Sequence, residues 1–562
     1  MMTLACVPIM VESVEAALAD AQHAKLAGAD LVELRIDGFF HGSEGDDAAD
    51  TLVIEELRGL VADCPLPVIL TCRSAAEGGD YDGDESDRVS LLEKLCVNTD
   101  RPPAYLDFEL AAYQRSANIR QKINLCVDHP KQQRDVSTRL ILSMHDFEQR
   151  PSDLMRRLAD AWAEPAASVV KFAYRCRSIR DNLEIFEILR DAPKPTIGLG
   201  MGEFGLMSRV LAPKFGGFLT FASLHDSAAT APGQPTIADL LGMYRLRSIC
   251  KDTKVYGVIG WPVTQSMSPL IHNAGFEARG WDGVYLPMPV MAADDPADSK
   301  LSFETTFQYI WSHVPDVHGM SVTIPYKELA AELIEEIADG LSSPHLVGAA
   351  NTLSQYFVDD PEWQCCLLMG ANTDVVAIHR LLYQKFRRDL RKHAVVTGAG
   401  GVARAAVVAV LAGGGKVTVA ARSQGKAEAM AKSLLQDATN YLDGIQPDCL
   451  SLCSLEDVAD TAADVYINCT PVGMAGGPDP DGLSIPVHDL AGKLPPETVF
   501  FDTVYNPIET PMLKAAKEHG FRTIDGVELF VRQASAQFKL WTGEKAPVQL
   551  FDRLVRERLG GA

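Results

Sequence analysis

Twelve cysteines are scattered through the 562 residues, yet no two stand at the C-x-x-C spacing of a zinc knuckle or a redox dithiol. The nearest pairs are Cys365-Cys366 and Cys449-x3-Cys453. Cys72 and Cys469 lie in apolar stretches, so the set reads as reduced core thiols and no metal site is expected. Long hydrophobic runs are also missing. The longest fall short of the ~18–20 residues a membrane span needs, so no membrane partner is expected. Basic residues are in deficit: 52 Lys and Arg against 75 Asp and Glu leave a formal charge of −23. Such a surface repels phosphate backbones, which argues against a nucleic-acid partner. It also requires a locally basic pocket for any anionic ligand. The first residues carry no charged-then-apolar segment with a cleavage site, and strand-like sequence starts by Leu4, so the expected location is cytoplasmic. There is no internal repeat and no low-complexity tract.

What is present is an ordinary globular mix, 47% hydrophobic and 23% charged. At ~100–200 residues per domain the length allows about three or four domains. Up to about residue 235, short apolar segments alternate with helical ones. Candidate strands are LVELRI, PVILTC, AYLDFEL, KINLCV, RLILSMH, SVVKFAY, PTIGLG and GFLTFAS, with an earlier one starting at Leu4. The stretch 11–26 has helical periodicity and ends at Gly28. This alternation predicts an α/β fold, an N-terminal (β/α)8 barrel. Residues 236–250 read as one more helix, and the polar KDTK at 251–254 as a short hinge. A second α/β unit follows, with strands VYGVIGWP, YLPMPV and MSVTI and a helix over YKELAAELIEEIADGL. Beyond residue 392, HAVVTGAGGVARAAVVAVLAGGGKVTVAARS reads as strand, glycine turn, helix, strand.

Charged and polar residues sit in or just past the barrel strands: Glu33 and Arg35, Arg73, Asp107 and Glu109, His145, and Lys171. A barrel gathers the C-terminal ends of its strands on one face, so these side chains should converge. In an apolar barrel the charged form of the Lys171 amine is disfavoured by desolvation and by nearby arginines, and a neutral amine can attack a ketone to form a Schiff base. His145 is the best-placed base. Arg35, Arg73 and Arg209 would clamp a carboxylate. A buried salt-bridge network is the alternative on these residues alone.

The stretches VELRIDGF, TCRSAAEGG, YLDFEL, LSMHDFEQRP, VVKFAY, MGEFGLMSR and TAPGQPT occur in that order. Together they resemble the type I 3-dehydroquinate dehydratases. The resemblance implies a Schiff-base lysine at Lys171, a general acid/base at His145 and Glu77 orienting the imidazole. It implies substrate binding by Glu33, Arg35, Arg73, Arg209, Thr230 and Gln234. Thr230 stands where the family usually has serine.

Gly398-x-Gly400-x-x-Ala403 lies between a strand and a helix, where glycines permit a tight turn and close approach to a pyrophosphate. Gly401 belongs to the same turn. The next strand ends at Arg422-Ser423, without the acidic residue that binds an NAD ribose; an arginine, with Lys426 nearby, suits the 2′-phosphate of NADP. Upstream, GWPVTQSMSPLIHNAGF, GMSVTIPYKELA, VGAANTL and GANTDVV pack polar residues among small ones, and Lys327 and Asp374 can act as a proton-moving pair. With INCTPVGM, DTVYNPIETPML and GVELFVRQASAQFKLWTG, the pattern resembles shikimate dehydrogenase. The resemblance implies Lys327 and Asp374 as catalytic dyad. Substrate contacts would come from Ser266, Ser268, Thr323, Asn351, Tyr505 and Gln533, and a cofactor contact from Thr470. Departures are Ser321 for the usual Asn and Ala377 for the usual glycine. Residues 291–304 and 436–455 look like insertions.

The expected organisation is a dehydratase barrel at 1–250, a substrate-binding domain at 255–375 and a Rossmann-type NADP domain at 376–527. C-terminal helices at 528–562 would return to the substrate domain. The expected function is a fusion of two activities. One half would convert 3-dehydroquinate to 3-dehydroshikimate and the other would reduce that product to shikimate. A quinate-oxidising catabolic enzyme and a non-catalytic sensor are the alternatives. The residues say nothing of oligomeric state.

Overall fold

The computed structural model describes residues 2–40, 47–97, 99–131, 136–225, 233–334, 336–337, 340–357, 366–442 and 446–560. They fall into two compact units, Met1–Thr253 with Tyr309–Pro315 and Lys254–Gln308 with Asp316–Ala562.

The first unit holds eight parallel strands: β1 Leu4–Met10, β2 Leu31–Arg35, β3 Val68–Thr71, β4 Tyr105–Glu109, β5 Arg139–Asp146, β6 Ala167–Arg175, β7 Thr196–Met201 and β8 Leu219–Phe221. They pair in the order β7-β6-β5-β4-β3-β2-β1-β8. Between the two end strands, the Phe218 N–H donates to the Thr196 carbonyl at 2.9 Å, which all but closes the barrel. Side chains alternate with period two along a strand, so inward positions form layers. Leu31, Ile69, Ile141, Val169, Ile197 and Leu219 make one apolar layer. Two residues further along the strands stand Glu33, Thr71, Ser143, Lys171, Leu199 and Phe221. The chemistry-bearing residues therefore rest on a packed apolar floor.

Two expectations fail here. KINLCV is not a strand but the end of a helix, Ala117–Cys126. Ser116 Oγ caps the helix by accepting from the Ile119 N–H, and the buried Ile123 and Cys126 stand three apart, a helical rather than an alternating spacing. Residues 236–250 are not one helix either. A π turn at Asp239–Met243 is followed by a 3-10 turn at Leu246–Ser248, and Arg245 between them has φ 54°, which no continuous α-helix allows. The segment KDTK, expected as a short hinge, is anchored on the barrel. The buried Lys214 Nζ donates to the carbonyls of Lys251 and Thr253 at 2.7 and 2.9 Å.

The second unit has two six-stranded sheets. One contains β9 Lys254–Gly260, β10 Gly283–Pro289, β11 Val317–Val322, β12 Glu336–Ile337, β13 Thr352–Phe357 and β14 Cys366–Ala371, in the order β10-β9-β11-β13-β14-β12. β13 runs antiparallel to both its neighbours. The other contains β15 His393–Thr397, β16 Lys416–Ala420, β17 Leu450–Cys453, β18 Val465–Asn468, β19 Val499–Asp502 and β20 Arg522–Ile524. Its order, β17-β16-β15-β18-β19-β20, with every pair parallel, is that of a dinucleotide-binding Rossmann fold.

The helix expected over YKELAAELIEEIADGL covers only Lys327–Glu332; the two-residue strand β12 and a 3-10 turn at Gly340–Ser342 follow it. Residues 436–455 are no mere insertion, because they include β17, the edge strand of the Rossmann sheet. Residues 291–304 run into the helix Pro296–His313. The boundaries expected at 375/376 and 527/528 fall inside the helices Thr373–Lys385 and Gly526–Thr542, so neither is a linker. The latter helix buries Val527, Phe530, Ala534, Phe538 and Trp541 against Tyr256, Phe276 and Tyr285 of the first sheet's lobe.

Candidate active sites

In the barrel, strand register decides which side chains meet. β5 and β6 pair Ser143 with Lys171 and His145 with Ala173. The small Ala173 leaves room beside the imidazole and above the amine. The Lys171 amine lies 3.0 Å from Glu33 Oε1, 3.2 Å from Asp107 Oδ2 and 4.4 Å from the centre of the Phe221 ring. Its hydrogen-bonding neighbours are thus carboxylates, the salt-bridge partners that the sequence left open as the alternative. Asp107 also accepts from Arg73 at 2.8 Å and from Ser143 at 2.6 Å. Arg73 and Lys171 hold its carboxyl well below the usual range despite burial.

The three arginines differ. Arg35 is ion-paired with Asp37 at 2.7 Å and Arg73 with Asp107 at 2.8 Å. Arg209 is 2% exposed, its Nε has no hydrogen-bond partner among the described residues, and its Nη1 donates to the Phe221 carbonyl at 3.4 Å. Burial lowers its pKa to about 10. A buried guanidinium in this state has donor capacity left for an anion.

The His145 side chain is 9% exposed, and desolvation followed by Arg73 and Lys171 pushes its pKa well down. Glu77 contacts its ring Nδ1 at 3.1 Å; burial raises the Glu77 carboxyl to about 7. Glu77 is followed by Gly78 at φ +77°, where a Cβ would stand 2.2 Å from Phe147. Phe147 in turn lies parallel to the imidazole at 6.4 Å. The cavity, about 70 Å³, is lined by Glu33, Arg35, Arg73, Glu77, His145, Lys171, Arg209 and Gln234 of the expected set. Thr230 lies outside the described residues. Ser143 went unforeseen, although it stands two residues before His145 on the same strand face.

In the second unit, Lys327 starts a helix and Asp374 lies in the first turn of another. Their side chains meet at 2.6 Å. The cavity around them, about 210 Å³, is lined by Ser266, Ser268, Thr323, Asn351, Tyr505 and Gln533, together with Ser321, the departure noted in the sequence, and the unanticipated Thr503 and Gln537. Gln537 lies one helical turn after Gln533, a spacing that could have revealed it.

The Rossmann lobe carries a larger cavity of about 1030 Å³, lined by Gly398, Gly400, Arg422, Ser423, Lys426 and Thr470. Gly398 has φ +112°, and a Cβ there would come within 2.9 Å of the Cys469 carbonyl, so the turn after β15 requires glycine. Arg422 and Lys426 are exposed on the wall of this cavity. Two expected cofactor residues do not line it. Ala403 is fully buried in the core that seats its helix on the sheet. Gly401 faces Lys327, whose Cβ is 3.2 Å from where a Gly401 Cβ would be. Arg404 was missed: it lines the cavity and donates to Ser433 Oγ at 3.1 Å.

Residues 5–251 match the family model of type I 3-dehydroquinase. Residues 258–353 match the shikimate dehydrogenase substrate binding domain, and 526–556 the shikimate 5′-dehydrogenase C-terminal domain. The chain is 34% identical over 98% of its length to the chloroplastic bifunctional 3-dehydroquinate dehydratase/shikimate dehydrogenase of Arabidopsis thaliana, covering 83% of that protein. It is 34% identical over 56% of its length to the shikimate dehydrogenase (NADP(+)) of a Synechocystis strain, covering 98% of it. Among solved structures it is similar to the dehydroquinate dehydratase and shikimate dehydrogenase of S. pombe AroM, with 24% identity, a TM-score of 0.41 and 99% of each chain covered. The chain belongs to the family of bifunctional 3-dehydroquinate dehydratases/shikimate dehydrogenases.

Proposed function

We propose that the barrel dehydrates 3-dehydroquinate and that the second unit reduces the product, 3-dehydroshikimate, to shikimate with NADPH. The observation that carries the first half is the buried lysine in one cavity with a nearly enclosed histidine and an arginine whose Nε has no partner among the described residues. The substrate carboxylate pairs with Arg209. The Lys171 amine, in its neutral form, adds to the ketone and expels water to form an iminium. His145 removes the proton from the adjacent carbon and the iminium takes up the electron pair. The protonated His145 returns that proton to the departing hydroxyl, which leaves as water, and hydrolysis of the iminium then frees Lys171. Glu77 keeps Nδ1 engaged, so Nε2 is the basic nitrogen.

In the second unit the Rossmann cavity has the room, the glycine turn and the exposed cations that a phosphorylated dinucleotide needs. Gly398, Gly400, Arg422, Ser423, Lys426 and Thr470 would hold it, with Arg422 and Lys426 at the 2′-phosphate. The dinucleotide, when bound, supplies the hydride. Lys327 then donates a proton to the carbonyl oxygen being reduced, and Asp374 takes part in the return of that proton in the oxidative direction. Ser266, Ser268, Thr323, Asn351, Tyr505 and Gln533 orient the substrate. A catalytic division near residues 250–254, followed by two lobes, is part of the same proposal.

A cytoplasmic setting is also proposed. No helix among the described residues is long and apolar enough to cross a membrane. Cell fractionation tests this, the Arabidopsis relative being chloroplastic. Measuring turnover of 3-dehydroquinate, shikimate and quinate tests the function. We expect the first two to be used and quinate to be poor. Preferred oxidation of quinate would point to a catabolic enzyme, and no turnover of any to a sensor.

A further inference from the structure

Behind the substrate cavity of the second unit runs a chain of hydrogen bonds between groups at most 6% exposed. Tyr285 Oη lies 2.7 Å from Ser321 Oγ, and Ser321 Oγ lies 3.0 Å from Gln537 Oε1. Gln537 Nε2 lies 3.0 Å from both the Asn351 backbone carbonyl and Thr352 Oγ1. Thr352 Oγ1 lies 2.8 Å from Asn351 Oδ1, which also faces the Thr373 N–H at 2.8 Å.

The direction of every bond is fixed by its two ends. The Asn351 carbonyl can only accept, so the nitrogen of Gln537 faces it and the oxygen faces Ser321. Ser321 must then donate to Gln537, which leaves its oxygen to accept from Tyr285. At the other end the Thr373 N–H can only donate, so the atom it meets is the oxygen of Asn351. Thr352 accepts from Gln537 and donates to that same oxygen. With Oδ1 occupied on the inside, the Asn351 amide nitrogen is the end left for the cavity that Asn351 lines.

From this chain we infer that Gln537 and Thr352 are positioning residues that lock Asn351 as a hydrogen-bond donor to the substrate. The inference rests on the proposed shikimate site. It also gives Ser321 a reason: a hydroxyl both accepts from Tyr285 and donates to Gln537 in one short side chain.

The test is steady-state kinetics of the full chain with shikimate and NADP, alongside melting temperature and dehydration of 3-dehydroquinate as an internal control. Thr352→Val removes one hydroxyl that does not line the cavity. We expect the KM for shikimate to rise about three- to tenfold, with kcat and the KM for NADP within about twofold, and Thr352→Ser to restore the wild-type value. Gln537→Met cuts the chain at its centre and should raise the same KM about tenfold or more. If Gln537→Met does not fold, the two Thr352 variants decide. A wild-type KM in Thr352→Val, or a Thr352→Ser as impaired as Thr352→Val, overturns the inference. A wild-type chain that does not oxidise shikimate overturns instead the functional reading beneath it.

Discussion

Glu77 and His145 are joined twice through one oxygen: Glu77 Oε2 accepts from the His145 backbone N–H at 3.0 Å and meets the ring Nδ1 at 3.1 Å. The backbone contact fixes the carboxyl, and the ring contact fixes the imidazole.

A pH dependence follows. Burial raises Glu77 to about 7, whereas desolvation and the neighbouring cations keep His145 neutral well below 6.5. As pH rises through about 7, Glu77 becomes the anion that accepts from Nδ1–H and leaves Nε2 free as a base. As pH falls, protonation of Glu77 removes this acceptor while the imidazole stays neutral. The acid limb of kcat/KM for dehydration should therefore lie near pH 7 and belong to Glu77. Glu77→Gln should lower kcat by about 10²-fold and abolish that limb. A pH–rate profile of both proteins checks this, and an unchanged limb in the variant refutes it.

Gly78 should matter out of proportion to its size. Its φ of +77° costs a non-glycine residue about 1–3 kcal/mol, and a Cβ would strike the Phe147 ring at 2.2 Å. Gly78→Ala should displace Phe147 from beside His145, admit water and raise the imidazole pKa. Dehydration should fall at pH 6 more than at pH 8, with shikimate oxidation unchanged. A uniform loss across pH would show that Phe147 does not control desolvation of the imidazole.

For Lys171, borohydride added with 3-dehydroquinate should leave a covalent adduct on the peptide that carries it and stop dehydration, while shikimate oxidation continues. Lys171→Ala should show neither adduct nor dehydration. Mass spectrometry of the digested protein reads both results; an adduct elsewhere, or none, sinks the Schiff-base role.

Arg422 should set cofactor choice. A hydrogen bond to a charged group contributes ~1.5–3 kcal/mol, about 10- to 150-fold. Arg422 is exposed and has Lys426 beside it on the cavity wall, so the lower end applies. Arg422→Ala should weaken NADP use about tenfold and leave NAD use unchanged. An unaltered ratio of kcat/KM for the two dinucleotides would remove Arg422 from the 2′-phosphate.

The sequence by itself determined the alternation of strands and helices, the glycine turn after HAVVT and the polar residues at strand ends, because each depends on local spacing and backbone freedom. It misread KINLCV and the stretch after Tyr326, where short apolar runs satisfy both helical and strand patterns until a cap or a pairing partner chooses. It named Lys171, His145, Lys327 and Asp374 without showing their surroundings. That Lys171 meets Glu33 and Asp107, that Arg209 Nε has no partner among the described residues while Arg35 and Arg73 are paired, and that Gln537 reaches Asn351 were decided by tertiary structure alone. Glu33 and Lys171 are 138 residues apart, and Ser321 and Gln537 are 216 apart. Such contacts exist only once the register of β5 on β6 and the seating of the helix Gly526–Thr542 have placed the chain, since hydrogen bonding and desolvation act over a few ångströms of space and not along the sequence.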